Sequence, residues 1–215
     1  MSNTAKKKKA DLKVVIVGEA SIGKTCLIRR YIEGTFDPDT STTLGASFYL
    51  KQWGNYNVAL WDTAGEERFS GLSSFYCRGA SAAILAFDPC SQQSFQALRE
   101  RFVPLLEAAE KDCLHVVVAT KADLVSPSTR AVSSQQVLAF AREINQHLPP
   151  KDDKPVIPYF ETSSLSGQNV KRLFEYIFEH CLPEGEERKK RTSSSVDLDL
   201  ENVSSAENKK SCCKT

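Results

Sequence analysis

The residues Gly18-Glu19-Ala20-Ser21-Ile22-Gly23-Lys24-Thr25 decide the fold of this 215-residue chain. A mostly apolar run, residues 12–17, precedes them, and a helix-like segment that begins with Cys26 and Leu27 follows. The stretch therefore predicts a glycine-rich turn between a buried strand and a helix. Its spacing of Gly, four residues and Gly-Lys-Thr is that of a phosphate-binding P-loop. A turn without a ligand is the alternative, and the strand-loop-helix setting argues against it.

This loop has the chemistry of a phosphate and metal site. Its glycines let consecutive backbone N–H groups surround phosphate oxygens at the N-terminus of a helix. Lys24 would bring positive charge to the β- and γ-phosphates, and Thr25 would offer a hydroxyl to Mg2+. The residues predicted to contact nucleotide here are Ala20, Ser21, Ile22, Gly23, Lys24, Thr25 and Cys26.

A second group of residues indicates which base is bound. Residues 116–119 are typical of a buried strand, and the next four, Thr120-Lys121-Ala122-Asp123, resemble the Asn-Lys-x-Asp signature of GTP-binding proteins, with threonine in the first place. The carboxylate of Asp123 can accept hydrogen bonds from both N–H donors on the edge of guanine, and would face an acceptor on adenine. Lys121 would lay its aliphatic stem along the base. Taken alone the four residues could be any surface turn, but their place at a strand end favours guanine.

Two further segments would complete the base pocket. Glu161-Thr162-Ser163-Ser164-Leu165 resembles the Ser-Ala-Lys loop of the same proteins, with Ser and Leu in place of Ala and Lys. Its predicted nucleotide contacts are Ser163, Ser164 and Leu165, with the backbone N–H of Ser164 meeting the base oxygen. Phe36 is placed to cover the base edge-on, although by itself it would be read as core.

The strand that ends in Leu60-Trp61-Asp62-Thr63-Ala64-Gly65 supplies the metal end of the site. It would deliver Asp62 to Mg2+ through water and the N–H of Gly65 to the γ-phosphate. Thr43 would close the metal shell from the other side, so that the predicted metal residues are Thr25, Thr43 and Asp62. Segments held only by γ-phosphate and Mg2+ lose their anchor on hydrolysis, and residues 36–47 and 65–78 are therefore predicted to be switches.

Residues 11–183 as a whole resemble a Ras-type small GTPase of the Rab group. The resemblance is carried by Leu44-Gly45-Ala46-Ser47-Phe48, Val58-Ala59-Leu60-Trp61, Arg68-Phe69 and Tyr76-Cys77-Arg78-Gly79-Ala80. Together with Phe48-Tyr49-Leu50-Lys51-Gln52-Trp53 and Lys111-Asp112-Cys113-Leu114, these strings are most similar to the atypical Rab-twenty subgroup. The resemblance implies an α/β P-loop NTPase fold: a small GTPase G domain with a mixed, mostly parallel six-stranded sheet flanked by helices.

The resemblance also implies ligands and partners. The ligands are Mg2+ and GTP or GDP, and the partners are effector proteins, an exchange factor, a GTPase-activating protein, a prenylation escort and a GDP-dissociation inhibitor. Phe48, Trp61 and Tyr76 would form an aromatic cluster that faces effectors, although three aromatics are also ordinary core. The expected role is that of a monomer that recruits effectors in vesicle trafficking at the cytoplasmic face of an intracellular membrane, with a cytosolic pool.

One residue departs from the family pattern in a way that bears on catalysis. Where the family has Asp-Thr-Ala-Gly-Gln, this chain has Glu66 in the last place. Glutamine both accepts and donates hydrogen bonds, whereas a carboxylate only accepts and adds negative charge beside the γ-phosphate. We therefore predict slow intrinsic hydrolysis, with Lys24, Thr43, Gly65 and Glu66 as catalytic residues. A GTP-locked binding platform is the alternative, and an ATP-using kinase is disfavoured because Asp123 selects guanine.

The remaining sequence predicts one α/β domain between two tails. An apolar content of 41% suffices for a full core, and short apolar strands alternate with amphipathic helices. Further strands are expected at residues 82–87 and 156–160, a hairpin turn at residues 51–55, and a final helix with its core face at Val170, Leu173, Phe174, Ile177, Phe178 and Cys181. Pro104 should kink or break the helix near residues 91–110.

The two ends of the chain differ from the domain in composition. Residues 1–10 form a basic arm, and residues 184–215 are rich in Ser, Asn, Glu and Lys, so both are predicted to be disordered. Cys212 and Cys213 resemble a double geranylgeranylation site, with two spare thiols as the alternative; each buried methylene of a prenyl chain adds about 0.8 kcal/mol to membrane binding. A net charge of +1 without interleaved aromatics argues against nucleic acid. Seven cysteines without metal-type spacing suggest a reducing compartment.

Overall fold

The structure is a computed structural model that describes residues 10–65, 70–150 and 155–183. Within these residues the strands are β1 (Leu12–Val17), β2 (Ala46–Trp53), β3 (Tyr56–Thr63), β4 (Ala82–Phe87), β5 (Leu114–Ala119) and β6 (Tyr159–Glu161). The α-helices are α1 (Lys24–Glu33), α2 (Ser70–Cys77), α3 (Gln92–Ala97), α4 (Ser134–Ile144) and α5 (Val170–Cys181).

The six strands form one sheet in the order β2-β3-β1-β4-β5-β6. The β2–β3 pair is antiparallel, and every other neighbouring pair is parallel. This arrangement confirms the predicted α/β fold with a mixed, mostly parallel sheet. Because parallel strands end at the same edge, the loops after β1, β3, β4, β5 and β6 gather there, which is where ligands bind in open α/β sheets.

Helices cover both faces of the sheet, and each face has its own apolar core. On one face α5 packs its predicted apolar side, with Phe174 and Phe178 fully buried and Tyr31 of α1 stacked on Phe174 at 4.0 Å between ring centroids. On the other face Phe87 of β4 meets Phe95, which in turn meets Phe140 of α4. Strands β1 and β4 are buried along their whole length, as expected of central parallel strands.

Two predicted segments differ in extent from the observed ones. The hairpin turn is confined to Gly54 and Asn55, because Gly54 adopts a φ of 55° and lets the chain reverse at once. The last strand pairs only over Tyr159–Glu161, although residues 156–160 were expected to form it. Pro155 and Pro158 have no N–H to donate, so the chain before Tyr159 contributes a single carbonyl bond, from the N–H of Val117 to Pro158 O at 3.0 Å.

The predicted break near Pro104 is confirmed, and it begins earlier than the proline. Helix α3 ends at Ala97, a π-helical turn covers Leu98–Phe102, and a 3-10 helix covers Val103–Ala108. Pro104 cannot donate to the carbonyl four residues before it, so the hydrogen-bond spacing widens before the proline and tightens after it. The π turn buries Leu98 and Phe102.

Candidate functional site

A cavity of about 480 Å³ opens at the carboxyl edge of the sheet. The P-loop, the segment before β2, Gly65 and the loops after β5 and β6 line it. The structure thus brings together most of the predicted nucleotide residues: Ala20, Ser21, Gly23, Lys24, Thr25, Cys26, Phe36, Thr43, Gly65, Thr120, Lys121, Asp123, Ser164 and Leu165.

Two glycines of the P-loop adopt positive φ angles, which residues with a side chain rarely adopt. Gly18 has a φ of 143°, and a Cβ there would lie 2.2 Å from the carbonyl oxygen of Ala86. Gly23, with a φ of 94°, is the N-cap of α1. Because α1 begins at Lys24, the unpaired N–H groups of its first turn and the positive end of its dipole face the cavity, which suits a phosphate.

The side chain of Lys24 is held by backbone carbonyls of the P-loop. Its side chain is buried, and Nζ donates to Gly18 O at 2.9 Å and to Glu19 O at 2.7 Å. Burial lowers the pKa of Lys24 to about 8, while the negative charges of Asp62 and Glu19 oppose that change. A phosphate beside Nζ would favour the charged form further.

The three predicted metal residues meet at one point. The hydroxyl of Thr25 lies 2.8 Å from that of Thr43 and donates to Asp62 Oδ2 at 2.7 Å, and Thr43 Oγ1 lies 3.2 Å from the same oxygen. Burial raises the pKa of Asp62, and its hydrogen bond from Thr25 is the largest opposing effect. Asp62 Oδ1 is buried without a hydrogen-bond partner among residues 10–65, 70–150 and 155–183. Clustered hard oxygen atoms, one of them unsatisfied, are what Mg2+ requires, so these residues fit the ion.

Gly65 lies directly against the P-loop. A Cβ at this position would approach Ala20 N and Glu19 C to 2.3 Å. Only glycine allows the backbone after β3 to come this close, so the N–H groups of both segments share one corner of the cavity.

Thr120 joins the phosphate end of the cavity to the base end. It is almost completely buried, and its hydroxyl donates to Ile22 O at 2.6 Å and lies 3.0 Å from Phe87 O. The side chain of Ile22 packs in the core instead of lining the cavity. The contact of Ile22 with the site is therefore through its backbone.

At the base end of the cavity, the Lys121 ammonium is held by an ion pair and the Asp123 carboxylate is accessible. Lys121 has a left-handed backbone (φ 53°), and its Nζ donates to Asp88 Oδ2 at 2.9 Å. Asp123 is exposed at the cavity wall, and its carboxylate accepts no hydrogen bond from the residues that the structure describes. Both oxygens of Asp123 are therefore available to the donors of a ligand.

The loop after β6 is organised by its own backbone and by Arg30. Ser163 is fully buried and does not line the cavity; its Oγ accepts from the N–H of Ser166 at 3.1 Å, and its carbonyl accepts from the N–H of Gly167 at 2.8 Å. Arg30 of α1 donates to the carbonyls of Ser164 and Leu165.

The predicted aromatic cluster is assembled on the far side of β3. Phe48 and Trp61 lie 5.2 Å apart, and Trp61 and Tyr76 lie 5.7 Å apart, between ring centroids. All three are half-buried, and Lys13 Nζ lies 4.9 Å from the Trp61 ring. Exposed Phe75, whose ring centroid lies 5.8 Å from that of Tyr76, extends the apolar character of this surface.

Several residues of the site were not found from the sequence. The cavity is also lined by Asp37, Pro38, Thr40, Ser41, Thr42, Thr63 and Leu124. Asp88 and Arg30 do not line the cavity, but they bond to the lining residues Lys121 and Ser164. Glu19 forms an ion pair with Arg101 at 2.9 Å. These contacts of Asp88, Arg30 and Glu19 join residues far apart in the chain, so for them only the position of Asp88 directly after a buried strand was a usable sequence signal.

Some predicted residues lie outside the described ranges. These are Glu66, Arg68 and Phe69, the basic arm up to residue 9, and the tail with Cys212 and Cys213. In the part of the chain that the structure describes, no helix has the length and apolarity needed to cross a bilayer.

Comparison with known proteins places this geometry in a family. A profile of the Ras family matches residues 13–182. The human Ras-related protein Rab-20 is 39% identical over 89% of this chain and 93% of its own length, and the mouse protein of the same name is 38% identical over 82% and 86%. Ras-related protein Rab-24 of Dictyostelium discoideum is 38% identical over 80% and 82%. The chain therefore belongs to the Ras family as a Rab-type small GTPase, a class of GTP-binding switches in vesicle trafficking, as its sequence predicted.

Proposed function

We propose that the cavity holds GTP or GDP with Mg2+ and that the protein hydrolyses GTP slowly while recruiting effectors to an intracellular membrane. The observation that carries the proposal is the placement of Lys24 and the Thr25 and Thr43 hydroxyls at one end of a single cavity and of Asp123 at the other. Buried Asp62 stands directly behind the two hydroxyls and bonds to both. A guanine nucleotide has charged phosphates at one end and paired N–H donors at the other. An adenine nucleotide has the same phosphates but lacks the paired N–H donors on the base edge.

The residues of the site would divide the work between binding and catalysis. Lys24 and the P-loop N–H groups would bind the β- and γ-phosphates, and Asp123 would select guanine. The oxygens of Thr25, Thr43 and Asp62 would hold Mg2+, which when bound neutralises charge on the β- and γ-phosphates. The N–H of Gly65 would donate to the γ-phosphate and so report whether that group is present.

Glu66 is proposed to make hydrolysis slow. A carboxylate cannot donate a hydrogen bond toward the γ-phosphate, and its charge opposes the developing negative charge there. The second candidate function, a GTP-bound platform that hardly hydrolyses, is favoured by the same substitution together with the assembled cluster of Phe48, Trp61 and Tyr76. The rate of GTP hydrolysis distinguishes the slow GTPase from the GTP-bound platform.

Single-turnover hydrolysis of bound GTP tests the proposal, with Glu66→Gln beside the native chain and Glu67→Gln as matched control. We expect slow native turnover, a rate raised about tenfold or more by Glu66→Gln, and no change with Glu67→Gln. Equal rates in all three proteins would refute the role of Glu66. Retention of ATP in preference to GTP would refute the assignment of the base.

Membrane attachment is proposed to reside in the tail. Residues 11–183 would form the G domain, and residues 184–215 would connect it to prenyl groups on Cys212 and Cys213. The predicted arm, residues 1–10, would stay apart from the domain only up to residue 9, because Ala10 is buried. Recruitment to vesicles after incubation with a geranylgeranyl donor and its transferase tests this, with Cys212→Ser/Cys213→Ser and Cys90→Ser compared. Only the double variant should stay in solution; attachment of that variant would overturn the assignment.

A further inference from the structure

Arg30 reaches three backbone carbonyls that belong to two different segments. Its Nε donates to Ser164 O at 2.5 Å and its Nη2 donates to Leu165 O. Its Nη1 donates to Gly34 O at 2.6 Å. The planar guanidinium is the side chain that can serve three acceptors at once in fixed directions.

The acceptors belong to the base end of the cavity. Ser164 and Leu165 line it directly. Gly34 is the C-cap of α1, and Phe36, which also lines the cavity, follows two residues later. Arg30 therefore fastens the loop after β6 to the start of the segment that covers the site.

The hydrogen bonds of this loop determine which way its N–H groups point. In a trans peptide the C=O and the following N–H point in opposite directions. The carbonyl of Ser163 is turned to the N–H of Gly167 at 2.8 Å, which fixes the N–H of Ser164. The carbonyl of Ser164 is turned to Arg30, which fixes the N–H of Leu165. Arg30 thus fixes the Ser164–Leu165 peptide directly. It stabilises the Ser163–Ser164 peptide indirectly, because the two peptides share Ser164.

We propose that Arg30 is a positioning residue for base recognition. It holds the Ser164–Leu165 backbone so that its N–H groups meet the 6-oxo group of guanine, and it transmits the loop position to the end of α1. This rests on the proposed binding of guanine nucleotide. Base recognition would then depend on a residue outside the base-binding motifs, because Arg30 of α1 holds the loop after β6 in place.

Nucleotide release tests the proposal, because the 6-oxo group can be removed from the ligand. The proteins are the native full-length chain, Arg30→Ala, Arg30→Lys and, as matched control, Arg172→Ala on the exposed side of α5. The ligands are GDP and the 2-aminopurine riboside diphosphate, which lacks the 6-oxo group and with it the N1–H donor, so each variant is compared with the native chain on the same ligand. Dissociation of each is measured by chase with excess unlabelled nucleotide.

Arg30→Ala should release GDP about 10- to 100-fold faster, since charge-assisted bonds to two cavity-wall carbonyls are lost. Its effect on the 2-aminopurine ligand should stay below about threefold, because a misplaced N–H costs nothing where there is no oxygen to receive it. Arg30→Lys should fall between, and Arg172→Ala should match the native chain.

Two results would overturn the role of Arg30. Equal acceleration of both ligands would mean that Arg30 only stabilises the fold, and unchanged GDP release would mean that the loop needs no anchor. If Arg30→Ala does not fold, the ratio of the two ligands measured with Arg30→Lys decides the same question. Failure of the native chain to retain GDP would be a different result, because it refutes the proposed function and this proposal with it.

Discussion

Arg101, in the π-helical turn after α3, donates to the Glu19 carboxylate of the P-loop at 2.9 Å. The same residue, Glu19, accepts from Lys24 Nζ through its carbonyl, and its backbone lies against Gly65. The ion pair therefore fixes the part of the loop whose carbonyl holds Lys24, the lysine proposed to bind phosphate. It also balances a carboxylate that would otherwise add negative charge beside the proposed phosphate site.

Removal of Arg101 should weaken GTP binding more than GDP binding, because the γ-phosphate adds charge that the unbalanced Glu19 would repel. The pair is partly exposed, so we expect a modest change, about threefold to tenfold in the GTP dissociation constant for Arg101→Ala. Glu19→Gln in the same chain should restore most of the loss. A double variant as weak as Arg101→Ala alone would contradict the electrostatic explanation, as would a loss unaffected by raising the salt concentration.

Gly65→Ala should reduce hydrolysis by about 100-fold while changing GDP release by less than about threefold. The new methyl group would meet the Glu19 and Ala20 backbone at 2.3 Å and displace the N–H predicted to bind the γ-phosphate. Asn55→Ala in the hairpin between β2 and β3 is the control, because this residue is exposed and does not line the cavity. Single-turnover GTP hydrolysis and GDP chase measure the two rates. Normal hydrolysis by Gly65→Ala would show that the close approach is not required.

Thr43→Val should make hydrolysis depend on a higher Mg2+ concentration. The substitution keeps the shape of the side chain and removes the hydroxyl that faces Thr25 and Asp62. We expect the rate at saturating GTP and 1 equivalent of Mg2+ to fall by about tenfold or more. Thr35→Val, an exposed position just after α1, should behave like the native chain. The Mg2+ titration of the hydrolysis rate is the measurement, and identical titrations for both variants would exclude Thr43 from the metal site.

Stability should fall below about pH 6.5 because of His115. Burial lowers the pKa of His115; its hydrogen bond with Ile144 O opposes the change, and nearby His147 adds to it. Just below pH 6.5, His115 therefore binds a proton in the unfolded chain but not in the folded chain. The unfolding free energy should therefore be constant above about pH 7 and decrease toward lower pH by at most about 1.4 kcal/mol per pH unit from this group.

Urea unfolding of the GDP-bound protein between pH 5.5 and 7.5 checks this pH dependence. His115→Gln should flatten the curve, whereas Gln135→Ala on the exposed side of α4, which removes no titratable group, should leave its shape unchanged. A slope that survives in His115→Gln would assign the effect to other groups, such as the carboxylates.

The sequence was sufficient for the fold and for the residues whose chemistry depends on short spacing. The P-loop, the Asp62 strand end and the Asp123 turn each combine a strand with a motif of a few residues, and the structure gathers all three in one cavity. In each case the local chain already fixes the geometry of the functional group.

Arg30 and Arg101 could not be found in the same way. Both are ordinary polar residues of helical segments, and their partners lie 135 and 82 positions away. The position of Arg101 also depends on the π turn, whose shifted hydrogen bonds are not encoded by periodicity alone. The shortened last strand has a different cause, the two prolines that remove donors just before it.

Trp61 and Asp62 are neighbours on β3, and consecutive residues of a strand point to opposite faces. The surface that a partner would touch and the carboxylate that would hold the ion are therefore separated by the thickness of one strand. A partner that prefers the GTP form through Trp61 must, by thermodynamic reciprocity, tighten GTP binding by the same factor. Recruitment and nucleotide retention are then two measures of one equilibrium, so that every effector bound to this protein also acts to keep it switched on.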